Sequence, residues 1–228
     1  MKTFRKSSLI SSVALLLVAI VALSGATFAW FSSKSEATAT GINATTTQGS
    51  NLVISDAIDT NWTQSLTLTV ADELAPATTN DLATWKSADA AEFDDQKAAT
   101  WKDGGDYIQQ TIYAKYDATS GTHDLKLTVT PTGDLGDKSY YRVAVQPITA
   151  QNLSNTTTEA TYFFATDADY ADDTVVTYSA QQFGQINLGT IDAGAVYGYN
   201  VFVWFEGEDL DCKDTNAKND IDLTLAFA

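Results

Sequence analysis

The sequence predicts an all-β chain, an antiparallel β-sandwich of the jelly-roll kind, with a short helical excursion around residues 71–106. Three observations carry this. Several segments alternate apolar and polar residues with period two, most cleanly Leu66–Val70 and Leu125–Val129, as half-buried strands require. About ten such segments are short, irregularly spaced and separated by turn residues. The composition, 44% apolar with ten Phe, ten Tyr, many Thr and three Pro, supplies one core and favours strands. At 228 residues, one main domain is the default.

In order, Thr38–Thr47 reads as an extended, weakly apolar strand with little side-chain mass, and Leu52–Ile54 as a short apolar one. After Leu66–Val70 the pattern breaks, and Ala88–Ala99 is a candidate short helix with Ser87 as its N-cap. Tyr107–Tyr116 resumes the β pattern, with Ile108, Ile112 and Ala114 on one face. Leu125–Val129 and Tyr140–Gln146 follow, and Pro147 marks a strand end or a sheet edge. Ala160–Ala165, Thr174–Tyr178 and Ile186–Leu188 are brief strands. Val196–Phe205 and Ile221–Phe227 form the last pair, around the acidic loop Glu206–Asp220.

Residues 1–29 have the layout of a secretory signal. Lys2, Arg5 and Lys6 precede an apolar run, Leu9–Leu23, and small residues lead to Ala29. Cleavage between Ala29 and Trp30 is expected, which makes the membrane a partner of the precursor only. The expected organisation is a signal peptide over 1–29, an N-terminal strand segment over 30–50 and a sandwich domain over 51–228. No cysteine lies near the cut, and no apolar tail or sortase-type signal follows the last strand, so the mature chain is expected to be untethered.

Removing residues 1–29 takes away three basic residues and no acidic one, so the net charge of −16 becomes −19. Such a field opposes binding to nucleic acid. It fits a solubilised extracellular protein, or one whose acidic surfaces are bridged by divalent cations. Cys212 is the only cysteine, so no disulfide can form within the chain, and a buried apolar role is its ordinary fate. His123 is the only histidine, which excludes a His-Glu-x-x-His zinc site; a solvated turn residue is expected. Neither a Gly-x-Ser-x-Gly elbow nor a phosphate-binding glycine loop is present, and no enzyme is expected.

The densest acidic stretch offers candidate Ca²⁺ ligands in Glu206, Glu208, Asp209, Asp211 and Asp214, because carboxylates at near-alternating positions suit a hard cation. The pattern is not an EF-hand, and a solvated loop is the ordinary reading. No other cofactor is implied. Asn43, Asn61, Asn152 and Asn155 fall in Asn-x-Ser/Thr sequons, and the tryptophans and tyrosines could line a sugar-binding face.

The junction Gly25-Ala26-Thr27-Phe28-Ala29-Trp30-Phe31-Ser32, with Ala39-Thr40-Gly41-Ile42 shortly after it, resembles the start of the camelysin/TasA family. These are secreted bacterial proteins processed by SipW-type signal peptidases. The likeness spans about 35 residues. Val203–Cys212 is similar to a C-terminal motif of proteins with such signals. The resemblance implies a sandwich fold and a structural subunit of extracellular fibres or biofilm matrix, located outside the cell or at its surface. Its partners would be further copies of itself and a SipW-type peptidase. Related subunits lend an N-terminal strand to the next subunit's sheet. Here that donor strand would contain Ala39, Gly41 and Ile42, with Ile42 as the apolar plug and Trp30 and Phe31 as end anchors. The same segment could instead pair with its own sheet. The metalloprotease activity associated with camelysin does not carry over, for want of histidines. The alternative function is a secreted binding module, an adhesin for glycans or one dependent on Ca²⁺.

Overall fold

The computed structural model describes residues 39–47, 51–58, 60–68, 74, 76–88, 93–94, 97–98, 101–103, 107–132, 140–150, 153–155, 159–166, 176–209, 212 and 221–228. All belong to one of two compact units, Glu36–Ala228; the other, Met1–Ser35, lies outside them. The expected signal peptide, the Ala29–Trp30 cut and the anchors Trp30 and Phe31 therefore fall outside the described residues. Among those residues no helix is long and apolar enough to cross a membrane.

Fifteen strands are described. They begin with β1 (Ala39–Thr46), β2 (Leu52–Ser55), β3 (Ser65–Leu68), β4 (Ala77–Thr79) and β5 (Trp85–Ala88). Next come β6 (Phe93–Asp94), β7 (Lys97–Ala98), β8 (Trp101–Asp103), β9 (Ile108–Tyr116) and β10 (Thr122–Thr132). The last are β11 (Tyr141–Ile148), β12 (Tyr162–Phe164), β13 (Gly184–Asp192), β14 (Val196–Phe205) and β15 (Ile221–Phe227).

Two five-stranded sheets form the sandwich, ordered β13-β10-β15-β1-β3 and β12-β11-β14-β9-β2. The period-two pattern explains their meeting. Leu125, Leu127 and Val129 of β10 and Leu223, Leu225 and Phe227 of β15 point inward from the first sheet. Ile108, Ile112 and Ala114 of β9 and Val201, Val203 and Phe205 of β14 answer from the second. Among the described strand pairs, β1 with β15 is the single parallel pairing. Pro147 lies inside β11, opposite Tyr199 of β14. Its missing N–H is tolerated because β12 covers the other side of β11 only over Val143–Val145.

The region 71–106 departs from expectation. No helix occupies the described part of Ala88–Ala99; β6 and β7 pair there instead. Around them β4, β5 and β8 make a small antiparallel sheet. Its residues Ala77, Leu82 and Trp85 pack on Ala144, Phe202 and Trp204, which point outward from the second sheet. Trp85 stacks on Tyr107 at 4.0 Å and meets Trp204 edge-on at 5.5 Å. The flap and the outer face of the second sheet thus share a second apolar cluster. It also explains why five successive residues of β11, Tyr141–Val145, are buried on both faces. Thr174–Tyr178 is another correction, since Val176–Tyr178 is not strand.

Candidate functional site

The N-terminal strand sits inside its own sheet. β1 runs parallel to β15, with Ile42 opposite Leu223, Ala44 opposite Leu225 and Thr46 opposite Phe227. On its other side it runs antiparallel to β3, with Ile42 opposite Leu68 and Ala44 opposite Leu66. The register shifts between Ala39 and Gly41, so the regular part of the seat begins at Gly41. Thr46 N–H donates to the Gln64 carbonyl and Thr47 N–H to the Phe227 carbonyl, each at 2.9 Å. On the outer face the Thr67 hydroxyl donates to Asn43 Oδ1 at 3.0 Å. The arrangement is the intrachain alternative for this segment.

The inner face of β1 is poorly filled. Ile42 and Ala44 are buried, and Ile42 is its one large apolar side chain there. Burial of such a side chain is worth about 1.5–3 kcal/mol, while a methyl group adds far less. Thr46 turns a buried hydroxyl inward that has no hydrogen-bond partner. The backbone ladders to β15 and β3 therefore supply most of what holds β1.

Every sheet edge of the sandwich is blunted by the chain itself. Ile54 on β2 exchanges two backbone hydrogen bonds with Thr63, at 2.7 and 2.9 Å. Gln181 does the same for β12, bonding Ala165 N–H and the Phe163 carbonyl. On β13 the Asn187 and Thr190 carbonyls accept the hydroxyls of Tyr162 and Tyr197, which reach over from the opposite sheet. On β3 the Thr63 hydroxyl caps both backbone groups of Ser65. Blunted edges resist strand addition from outside.

The acidic motif near the C-terminus is not a solvated loop. Glu206, Glu208 and Asp209 are buried, and Asp211 and Asp214 lie outside the described residues. Asp209 Oδ2 receives Arg142 Nη2 at 2.9 Å, with both side chains fully buried. Glu206 Oε2 accepts the Tyr178 hydroxyl at 2.8 Å and Trp204 Nε1 at 3.2 Å. Gly207 N–H donates to the Ala77 carbonyl, so this corner also pins the flap. Burial pushes the Glu206 carboxyl above its ordinary range, while Tyr178, the Arg142 guanidinium and Trp204 pull it back. Among the described residues no group of three or more His, Cys, Asp or Glu is arranged to hold a metal ion. Sequence reasoning missed Arg142; its signal was a lone charge in the apolar strand Tyr140–Val145.

Other candidates take structural places. Cys212 is buried in the core. His123 is on β10 rather than in a solvated turn, half-buried and stacked on Tyr116 at 5.3 Å. Trp85 and Trp204 are buried, so neither offers a face to a sugar. Asn155 is buried too, its Oδ1 accepting Gly198 N–H and its amide donating to Glu159, which removes it as a glycan acceptor. Gly198 is required there, because a Cβ would come within 2.8 Å of Ile148.

Compared with protein-family models, curated proteins and solved structures, the chain finds no match.

Proposed function

We propose that this chain is a secreted structural subunit of extracellular fibres or biofilm matrix that assembles by exchange of its N-terminal strand once a SipW-type peptidase has removed residues 1–29. The observation that carries the reading is the seat of β1: an N-terminal strand, flanked on both sides in its sheet, held mainly by backbone hydrogen bonds. Another copy's strand entering the same seat would regain the same ladders and the same Ile42 contact, so exchange is close to neutral in contacts. The blunted edges favour this route over edge-to-edge stacking. The connection from β1 to β2, residues 47–51, would be the hinge. The resemblance of residues 25–42 to camelysin/TasA-type junctions supports the export step and the matrix location.

Electron microscopy of the purified mature chain tests this, with regular fibres as the expected result. A chain without residues 30–47 should remain unpolymerised, and a synthetic peptide of residues 38–48 should bind it and restore the fold seen by circular dichroism. Regular fibres from the shortened chain would remove strand exchange from consideration.

A further inference from the structure

Within the first sheet, the inward rows run across β3, β1 and β15. In one row Leu66, Ala44 and Leu225 lie abreast; in the next, Thr46 lies beside Phe227. In both rows β15 supplies a large apolar side chain, and β1 supplies only the methyl of Ala44 or the small, polar Thr46. At Thr46 the mismatch is chemical as well as steric: Oγ1 is buried, next to a fully buried phenylalanine, with no hydrogen-bond partner. A buried unpaired hydroxyl opposes the state that buries it, and the opposition ends when the strand leaves and water reaches the oxygen.

We propose that Thr46 is the residue that keeps the N-terminal strand exchangeable, acting as a built-in weak point at the hinge end of β1. This rests on the strand-exchange reading above and adds what regulates it. Position matters as much as chemistry. Thr46 is the last residue of β1, so the penalty at its hydroxyl falls on that strand. The framework also buries an unpartnered hydroxyl on Tyr141, but that residue lies on β11 in the opposite sheet. Its penalty falls on the whole sandwich and does not distinguish β1 from β15. Local opening of a single element, below the free energy of global unfolding, is the behaviour expected of a strand so loaded.

The test compares the purified protein, in the form the expressing cell releases, with Thr46→Val, Thr46→Ser and Tyr141→Phe. Amide hydrogen exchange is followed by mass spectrometry over β1, β10 and β15. In the wild type, β1 amides should exchange faster than those of β10 and β15. Thr46→Val keeps the side-chain shape and removes the hydroxyl. It should slow β1 exchange on the order of tenfold to a hundredfold relative to β15 and delay fibre growth. Thr46→Ser should not slow it. Tyr141→Phe should leave the ratio of β1 to β15 exchange unchanged even if the whole protein gains stability. Wild-type β1 exchanging no faster than β15, or an unchanged ratio in Thr46→Val, overturns the proposal. Slowed β1 exchange in Thr46→Val without fibres from either protein upholds Thr46 as the weak point and removes the fibre function.

Discussion

β1 and β15 lie side by side, run in the same direction and are each enclosed by neighbours in one sheet. Their inward residues differ sharply. β15 presents Leu223, Leu225 and Phe227, all fully buried, whereas β1 presents Ile42, Ala44 and Thr46. At about 1.5–3 kcal/mol for each large buried side chain, β15 is fixed by three anchors and β1 by one. Backbone hydrogen bonding does not separate them, because each is flanked by two strands. A central position in a sheet thus says little about how firmly a strand is held; the row of side chains beneath it decides. β15 belongs to the framework, and β1 is the removable member.

The strongest way to probe this contrast is to attack the framework away from both strands. Arg142→Ala removes the guanidinium from the buried Asp209 carboxylate and should cost about 3–5 kcal/mol in urea unfolding. β1 and β15 should then lose protection together, because the clasp supports the second sheet and not either strand alone. Replacing both partners, Arg142→Met with Asp209→Leu, should recover much of that loss.

Next in size, Leu225→Ala should cost about 2–5 kcal/mol through the cavity it leaves between the sheets. If it left global stability intact and released β15 alone, the two strands would be alike and the contrast would fail.

A smaller effect concerns pH. Burial holds the Glu206 carboxyl above its ordinary range, against the opposing pull of its hydrogen-bond donors and the Arg142 guanidinium. A raised carboxyl contributes stability that is complete below the ordinary glutamate range and is lost as pH rises through the folded-state value. Melting temperature should therefore decline from mildly acidic toward neutral pH, and Glu206→Gln should flatten that decline. Both strands should follow this change equally, since Glu206 is in the framework.

The smallest expected change is Ala44→Gly, about 1 kcal/mol or less from backbone entropy and one lost methyl group. It should appear as faster hydrogen exchange in β1 with little shift in the global denaturation midpoint. A global loss as large as that of Leu225→Ala would make β1 part of the framework.

Much of this architecture was legible in the sequence because side-chain alternation reports directly on sheet faces. Val196–Phe205 and Ile221–Phe227 are strands with the expected ends. Ile42 is the apolar residue of the N-terminal strand, as its neighbours' small size implied. The flap was misread because alanine-rich Ala88–Ala99 with Ser87 ahead of it satisfies helix propensity, a preference of a few tenths of a kcal/mol per residue that packing readily overrides. Just ahead of that segment, Ala77, Leu82 and Trp85 cover the aromatic outer face of the second sheet. The continuous apolar run Val201–Phe205 signalled that face, since a strand buried on one side alone would have alternated. The acidic motif was misread for a related reason. Glu206 and Asp209 look solvated until Arg142 and Tyr178, distant in sequence, are brought against them beside the adjacent Trp204.

By itself the sequence determined the all-β class, the strands with strict alternation, the absence of an internal disulfide and the resemblance of its start to an exported family. Those properties are local, because each depends on the order of a few neighbouring residues. The tertiary structure alone decided that the N-terminal strand lies parallel to the last one, that Glu206 and Asp209 are buried against Tyr178, Trp204 and Arg142, and that the four described edge strands of the sandwich are blunted. These depend on which surfaces meet across the sandwich. The burial of Thr46 Oγ1 is of the same kind: an ordinary threonine in the sequence becomes a buried, unpaired hydroxyl only when the fold sets it beside Phe227.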